Sequence, residues 1–227
     1  MVRVSFHEEL GIAEQELLGE GGLVRKQIER VLEAVARRDV DLAARVIEED
    51  DRVDEVYLAA EERILNVLAL QAPVAGDLRL VSAILHSNMH VERIGDLCVN
   101  IAKFVQNQDP YPSNSPMVTR LQEMGGHAIG MLDTALSAFA QRSAELAEEL
   151  PGRDNALDRL NRGMLDDLKD YVDDESFEWA TKLILVSRYL ERMGDHAVDI
   201  GEQVAFLVTG VFREFTDASH PEKAPRA

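Results

Sequence analysis

The stretch Glu92-Arg93-Ile94-Gly95-Asp96 recurs 99 residues later in the same chain (191 − 92) as Glu191-Arg192-Met193-Gly194-Asp195. In each copy the two acids stand four positions apart, which places them on one face of an α-helix with Cβ atoms about 5–6 Å apart. Two like charges held side by side cost free energy unless a cation lies nearby. The repeat therefore predicts two similar helical halves that each carry paired carboxylates.

A second pair of acids precedes each copy of this stretch. Asp50 and Asp54 recur 104 residues later (154 − 50) as Asp154 and Asp158, again four positions apart. The same offset aligns Gly21-Gly22 with Gly125-Gly126, Leu32 with Leu136, and Leu42-Ala43 with Leu146-Ala147. The similarity between the halves thus extends well beyond the acids.

Apolar residues recur at intervals of three and four along both halves, and the strong helix breakers fall between the periodic segments. This pattern predicts an all-α protein made of two tandem, pseudo-symmetric three-helix bundles. Pro151-Gly152 predicts a helix break at about 150–153, because a proline inside a helix removes a hydrogen bond. The predicted helices are 8–38, 41–70, 77–107, 117–142, 144–172 and 176–209.

The breakers also indicate the domain organisation. Residues 1–108 form the first predicted three-helix repeat and residues 117–210 the second. The three prolines between them predict a linker at 109–116, since proline disfavours helix in the residue before it. The polar segment 211–227 has little to bury and is predicted to be a flexible tail.

Composition and charge exclude several classes of protein. An apolar content of 46% with only 5% aromatic residues suits packed helices. A net charge of −18 argues against nucleic acid and favours cations or basic protein surfaces. The single cysteine excludes an intrachain disulfide framework. The chain shows neither a signal peptide nor an apolar run long enough to span a bilayer, so we predict a cytoplasmic protein that does not insert into membranes.

The paired acids are candidate metal ligands because they lie beside apolar stripes that should face the bundle. Burying an unpaired ionised carboxylate in such a place costs on the order of several kcal/mol, so the group normally takes up a proton instead. Oxygen donors suit Mg²⁺, Mn²⁺, Ca²⁺ or iron, so we predict a divalent or trivalent metal cofactor. The alternative, a solvated face with salt bridges, stays open. The predicted ligands are Asp50, Asp54, Glu92, Asp96, Asp154, Asp158, Glu191 and Asp195.

Four residues next to these acids are weaker candidates. Asn100 and Asp199 lie one helical turn after Asp96 and Asp195. Each could be a further metal ligand or form a hydrogen bond to one of the ligands. Arg93 and Arg192 follow the first acid of each motif. They are predicted either to neutralise a neighbouring carboxylate or to contact an anion or an acidic partner.

The remaining reactive residues indicate no catalytic site. His90 and His196 have no counterpart in the other half, so we predict surface or rim positions rather than a ligand role. Cys98 is predicted to be a small buried hydrophobe. The sequence has no Glu-x-x-His, the motif with which ferritin-like di-iron enzymes build their sites. It also has no Gly-rich phosphate loop, no Ser/His/Asp set and no Cys-x-x-Cys.

Three sequence features occur together: the doubled Glu-Arg-(Ile/Met)-Gly-Asp, the Asp-x-x-x-Asp before each copy, and the stretch Pro73-Val-Ala-Gly-Asp-Leu-Arg79. In these features the chain resembles the PhoU family of phosphate-transport regulators, over about residues 10–210. The resemblance implies two similar three-helix bundles, homodimerisation, and negative regulation of phosphate uptake and phosphate-starvation signalling. It implies the transporter ATPase of the phosphate ABC system and a sensor histidine kinase as partners. It also implies metal binding at the eight acids named above.

Three functions compete at this point. The first is a non-enzymatic regulator that couples phosphate transport to signalling through protein contacts. The second is a carboxylate-bridged metalloenzyme of the helical-bundle type, which would need open coordination positions and a substrate pocket. The third is a plain helical scaffold whose acids are solvated. All three predict the same bundle.

Overall fold

The computed structural model describes residues 2–107, 111, 113, 115–172 and 176–215, with side chains from residue 6 onward. These residues are almost entirely helical and include no strand, so the predicted all-α fold class is confirmed. None of the described helices is both long and apolar enough to cross a bilayer. The helices are α1 Val2–Arg37, α2 Val40–Gln71, α3 Gly76–Gln106, α4 Pro116–Gln141, α5 Ala144–Glu148, α6 Leu150–Leu168 and α7 Phe177–Thr209.

Half of the predicted linker at 109–116 and most of the predicted tail at 211–227 lie outside the described residues. Within the described part, α4 already begins at Pro116. The Val118 amide donates a hydrogen bond of 3.2 Å to the Ser115 hydroxyl. Serine at the N-cap with proline in the first turn is a favourable helix start, which explains why the chain becomes helical here.

The two halves have the same order of helices, with α1, α2 and α3 in the first matched by α4, α5 with α6, and α7 in the second. α5 ends at Glu148 and α6 begins at Leu150. The interruption therefore lies at Glu149, just before the predicted 150–153. Pro151 falls in the first turn of α6, where its missing amide hydrogen has no helical partner to lose.

The helices α3 and α7 carry the repeated motifs and pack against each other across the two halves. Both are buried along much of their length, including Ile94 and Ile101 on α3 and Ala197 and Val204 on α7. Cys98 is 0% exposed, which confirms its predicted role as a small buried hydrophobe. The acids on these helices therefore extend from backbone that lies in the interior.

The helices α1 and α4 join the halves through a reciprocal contact. Leu136 on α4 packs onto Gly21 on α1, and Leu32 on α1 packs onto Gly125 on α4. A Cβ at either glycine would overlap the leucine side chain. The two glycines are related by the offset of 104, and so are the two leucines. The pseudo-symmetry of the sequence therefore appears as matching contacts at this interface.

Gly125→Ala should lower the free energy of unfolding by about 1–3 kcal/mol, because the added methyl overlaps Leu32 in a packed interface. The neighbouring Gly126→Ala is the matched control, since its added Cβ meets no atom within 4 Å. That variant should raise the free energy of unfolding by up to about 1 kcal/mol, the helix-propensity gain of alanine over glycine. Urea unfolding measures both, and equal stabilisation by the two substitutions would contradict the contact.

Candidate metal centres

Two helices of the first half bring four carboxylates together. Asp50 and Asp54 lie on α2, and Glu92 and Asp96 lie on α3. Burial raises the pKa of Asp50, and the negative charges of Asp54 and Asp96 raise it further. Burial also raises the pKa of Glu92, with the charge of Asp96 as the next contribution. We call these four residues the first acidic cluster.

Glu20 on α1 is a fifth carboxylate at this cluster, and it is absent from the ligands predicted from the sequence. Its side chain is 0% exposed, and neither carboxylate oxygen has a hydrogen-bond partner among the described residues. Burial, followed by the charges of Glu92 and Asp54, raises its pKa to about 9. Such a group stays protonated at neutral pH unless a cation binds beside it. The signal in the sequence was its place between Leu17 and Val24 on the buried stripe of α1.

Gly95 allows polar side chains to approach α3 closely. A Cβ there would lie 3.3 Å from Gln27 Oε1 and 3.4 Å from Asp50 Oδ1. Gln27 Nε2 donates a hydrogen bond of 2.9 Å to Asp50 Oδ1, while Gln27 Oε1 is buried without a partner among the described residues. The close approach at this glycine therefore brings one more oxygen donor, Gln27 Oε1, to the cluster.

The second half repeats the arrangement, with Asp154 and Asp158 on α6 and Glu191 and Asp195 on α7. Burial, and then the charge of Asp195, raises the pKa of Asp154 to about 7. Burial also raises the pKa of Glu191 and of Asp195. Asp154 Oδ1 and Glu191 Oε2 are buried and lack hydrogen-bond partners in the described part of the chain. We call these four residues the second acidic cluster.

The two clusters differ in what α1 and α4 contribute. At the offset of 104, Glu20 and Gln27 correspond to Met124 and Met131. Both methionines are buried, and Met131 Cε lies 3.4 Å from the position of a Cβ at Gly194. A thioether is a soft, neutral group, so it is a poor ligand for the hard cations that carboxylates bind. The first cluster therefore offers more oxygen donors than the second.

The arginines of the repeated motifs behave differently in the two halves. Arg93 donates a hydrogen bond of 2.8 Å to Asp96, in line with the predicted neutralising role. Arg192 is exposed. In the second half it is Arg188, one turn earlier on α7, that donates to Glu191 at 2.7 Å. The neutralising role predicted for Arg192 thus belongs to Arg188, and an anion-binding role for Arg192 stays a prediction.

Asn100 and Asp199, the predicted additional ligands, lie in different surroundings. Asn100 is exposed on α3 and stays a candidate. Asp199 Oδ2 lies 3.4 Å from His90 Nδ1 and 3.7 Å from His196 Nδ1. The two histidine side chains are only 14% and 17% exposed, so they are more buried than the predicted surface or rim positions. Burial lowers the pKa of His90 to about 4, which keeps its imidazole neutral at pH 7.

The carboxylates of the acidic clusters are spread more widely than ligands around one ion. Within the described residues, His90, His196 and Asp199 are the one group of three whose ligand atoms all lie within 4.8 Å of one another. Two ionised carboxylates about 4 Å apart repel by about 4 kcal/mol at an effective dielectric constant of about 20. A bound cation offsets this repulsion, so a cluster that binds one should contract around it.

Comparison with known proteins matches both halves to one family. A model of the PhoU domain matches residues 17–105 and, a second time, residues 121–204. The chain belongs to the PhoU family. Each matched segment contains one acidic cluster, and the first segment also contains Glu20 and Gln27.

Curated relatives and solved PhoU structures span nearly the whole chain. The phosphate-specific transport system accessory protein PhoU homolog 2 of Mycobacterium tuberculosis is 31% identical over 212 residues, covering 93% of this chain and 100% of that protein. The homolog of Clostridium acetobutylicum is 30% identical, covering 92% and 97%. The crystal structure of PhoU from Pseudomonas aeruginosa matches with a TM-score of 0.83 at 32% identity, covering 91% and 100%. The phosphate transport system regulatory protein PhoU from Streptococcus pneumoniae gives a TM-score of 0.81 at 30% identity, covering 92% and 99%.

Glu20 should make the stability of the metal-free protein depend on pH. Its folded-state pKa of about 9 lies above the ordinary value of 4.5, so between these values the folded state binds a proton that the unfolded state has lost. The free energy of unfolding should therefore fall as pH rises through this window. Glu20→Gln removes the titrating group, so its stability relative to the wild type should increase steadily with pH.

Urea unfolding of chelator-treated protein at about pH 5, 7 and 9 measures this difference. Glu62→Gln, at an exposed position of α2, is the matched control and should change stability little at any of these pH values. A stability profile of Glu20→Gln parallel to that of the wild type would contradict a buried carboxylate without partners.

Proposed function

We propose that this chain is an accessory protein of a phosphate-specific transport system, which regulates phosphate uptake and phosphate-starvation signalling without catalysing a reaction. The observation that carries the proposal is the match of both halves to the PhoU domain. The relative from Mycobacterium tuberculosis, covered over its whole length, is named as an accessory protein of such a system. A relative that matches this chain over 93% of its length supports the same function here.

On this proposal the chain acts in the cytoplasm by contacting the transporter ATPase and a sensor histidine kinase, and it forms a homodimer. The net charge of −18 supports basic protein surfaces as partners, because opposite charges speed the encounter with such a surface and like charges repel acidic ones. The same charge opposes binding to nucleic acid.

We further propose that each acidic cluster binds a divalent or trivalent cation, from among Mg²⁺, Mn²⁺, Ca²⁺ and iron. Support comes from the buried oxygens of Glu20, Asp154 and Glu191, which lack hydrogen-bond partners among the described residues. Hard cations bind such oxygens. The ion would supply a fixed positive charge that lets the surrounding carboxylates ionise at neutral pH. The first cluster should bind its ion more tightly, because Glu20 and Gln27 add oxygen donors where the second cluster has methionines.

The competing reading, a carboxylate-bridged metalloenzyme, has less support. Ferritin-like enzymes hold two metal ions with Glu-x-x-His motifs on paired helices, and the sequence contains no such motif. The two histidines in the neighbourhood of the acids face each other between α3 and α7 instead. The regulator is therefore the function that the site supports best.

Metal binding should raise the melting temperature of chelator-treated protein. A cation at a hundredfold excess over its Kd adds about 2.7 kcal/mol if it binds only the folded state. For a chain of this size that corresponds to about 5–10 °C. Circular dichroism melts with Mg²⁺, Mn²⁺, Ca²⁺ and Fe²⁺ measure the shift.

Single substitutions separate the two clusters in the same assay. Asp50→Asn and Asp154→Asn should each remove part of the shift, and the control Glu62→Gln should keep all of it. Since the first cluster has more oxygen donors, Asp50→Asn should remove the larger part. A melting temperature that no cation changes would contradict metal binding while leaving the regulatory proposal standing.

Deletion of the gene in its own host should release the phosphate-starvation response at high phosphate. A reporter of a phosphate-repressed promoter measures this, and the wild-type gene on a plasmid should restore repression. Purified chain should also retain the purified transporter ATPase and sensor kinase in a pull-down assay. Unchanged repression in the deletion strain would overturn the proposed function.

A further inference from the structure

A second kind of ligand set lies between the two halves of the molecule. His90 on α3 faces His196 and Asp199, which lie three residues apart on α7. At the offset of 99 that aligns the motifs, the counterparts of His90 and His196 are Tyr189 and Leu97. The set therefore occurs once in the chain and is not part of the duplicated acidic clusters.

The three donor atoms have the spacing of ligands on one tetrahedral ion. The distances are 3.1 Å between the two Nδ1 atoms, 3.4 Å from His90 Nδ1 to Asp199 Oδ2, and 3.7 Å from His196 Nδ1 to Asp199 Oδ2. Zinc bonds to imidazole nitrogen and carboxylate oxygen are about 2.0–2.2 Å long, and two ligands at the tetrahedral angle are then about 3.4 Å apart. The triangle of donors matches one face of such a tetrahedron.

The orientation of the two imidazoles also favours an ion over a simple hydrogen bond. The two Nδ1 atoms lie 3.1 Å apart, and only one of the two rings can donate a proton to the other. With both protons on Nε2, two lone pairs and the Asp199 carboxylate converge, and a cation satisfies all three at once. The two side chains are mostly withdrawn from water, so few solvent molecules compete for them.

We propose that His90, His196 and Asp199 bind one borderline cation of the Zn²⁺ class, with the fourth position open to water. Imidazole ligands suit Zn²⁺, Co²⁺ or Ni²⁺, whereas carboxylate-only sites suit Mg²⁺, Ca²⁺ or Mn²⁺. The site is therefore chemically distinct from the two acidic clusters. Because its ligands come from α3 and α7, the ion cross-links the first half to the second.

Titration of the chelator-treated full chain with Co²⁺, in the presence of excess Mg²⁺ to occupy carboxylate sites, tests the proposal. One equivalent of Co²⁺ should give the intense visible absorption of a four-coordinate ion, and one equivalent of Zn²⁺ should remove it. Calorimetry with Zn²⁺ under the same conditions should find one site.

His90→Ala and His196→Ala should each weaken this binding by about 100-fold or more, since loss of even an outer-shell partner costs 10–100-fold. The matched control is His86→Ala, four residues before His90 on the same helix and exposed, which should bind as the wild type does. Circular dichroism verifies the fold of each variant. Should a histidine variant fail to fold, Asp199→Asn gives the same test at a more exposed position.

The proposal is overturned if no visible band appears, or if the band survives in His90→Ala, His196→Ala and Asp199→Asn. A band that is lost only in Asp50→Asn or Asp154→Asn assigns the Co²⁺ to the acidic clusters and overturns it as well. The result is independent of the regulatory role, because binding is measured on purified protein.

Discussion

Repulsion between carboxylates held side by side on packed helices, some of them exposed and others partly or fully buried, is the constraint on which the other features depend. Each half holds four such groups between two helices, and the charges of neighbours raise the pKa of Asp50 and of Asp154. Close packing at Gly95 and Gly194 brings the helices near enough for this coupling. A fold that keeps these groups together must protonate them, pair them with arginine or bind a cation.

Duplication preserved this constraint but not the residues around it. The helices α1 and α4 still interlock through the same glycine and leucine positions. Where α1 places Glu20 and Gln27 against the first cluster, α4 has the buried Met124 and Met131 at the corresponding positions, and Met131 lies beside Gly194 of the second motif. The buried carboxylate costs stability in the absence of metal, whereas the methionines fill space at no electrostatic cost. The two halves thus combine one scaffold with two different electrostatic environments.

Local patterns in the sequence predicted the helices, the break near Pro151 and the grouping of acids, because helix periodicity and proline geometry act over a few residues. These local patterns do not predict which residues of different helices contact each other. The place of Glu20 on the apolar stripe of α1 indicates burial, but no local pattern shows that this part of the stripe meets the acids of α2 and α3. Arg188 replaces Arg192 as the partner of Glu191 because residues three or four apart share a helix face, whereas adjacent residues do not. His90 and His196 meet across the two halves, a contact that only the tertiary fold creates.

Anomalous diffraction from crystals of chelator-treated protein soaked with Mn²⁺ locates the ions themselves and so shows whether the acidic clusters bind metal. We expect one anomalous peak within bonding distance of Glu20, Asp50 and Glu92, and a second, weaker peak beside Asp154 and Glu191. Crystals with no peak at either cluster, or with peaks only at exposed surface acids, would contradict the claim that buried carboxylates are held together to bind metal.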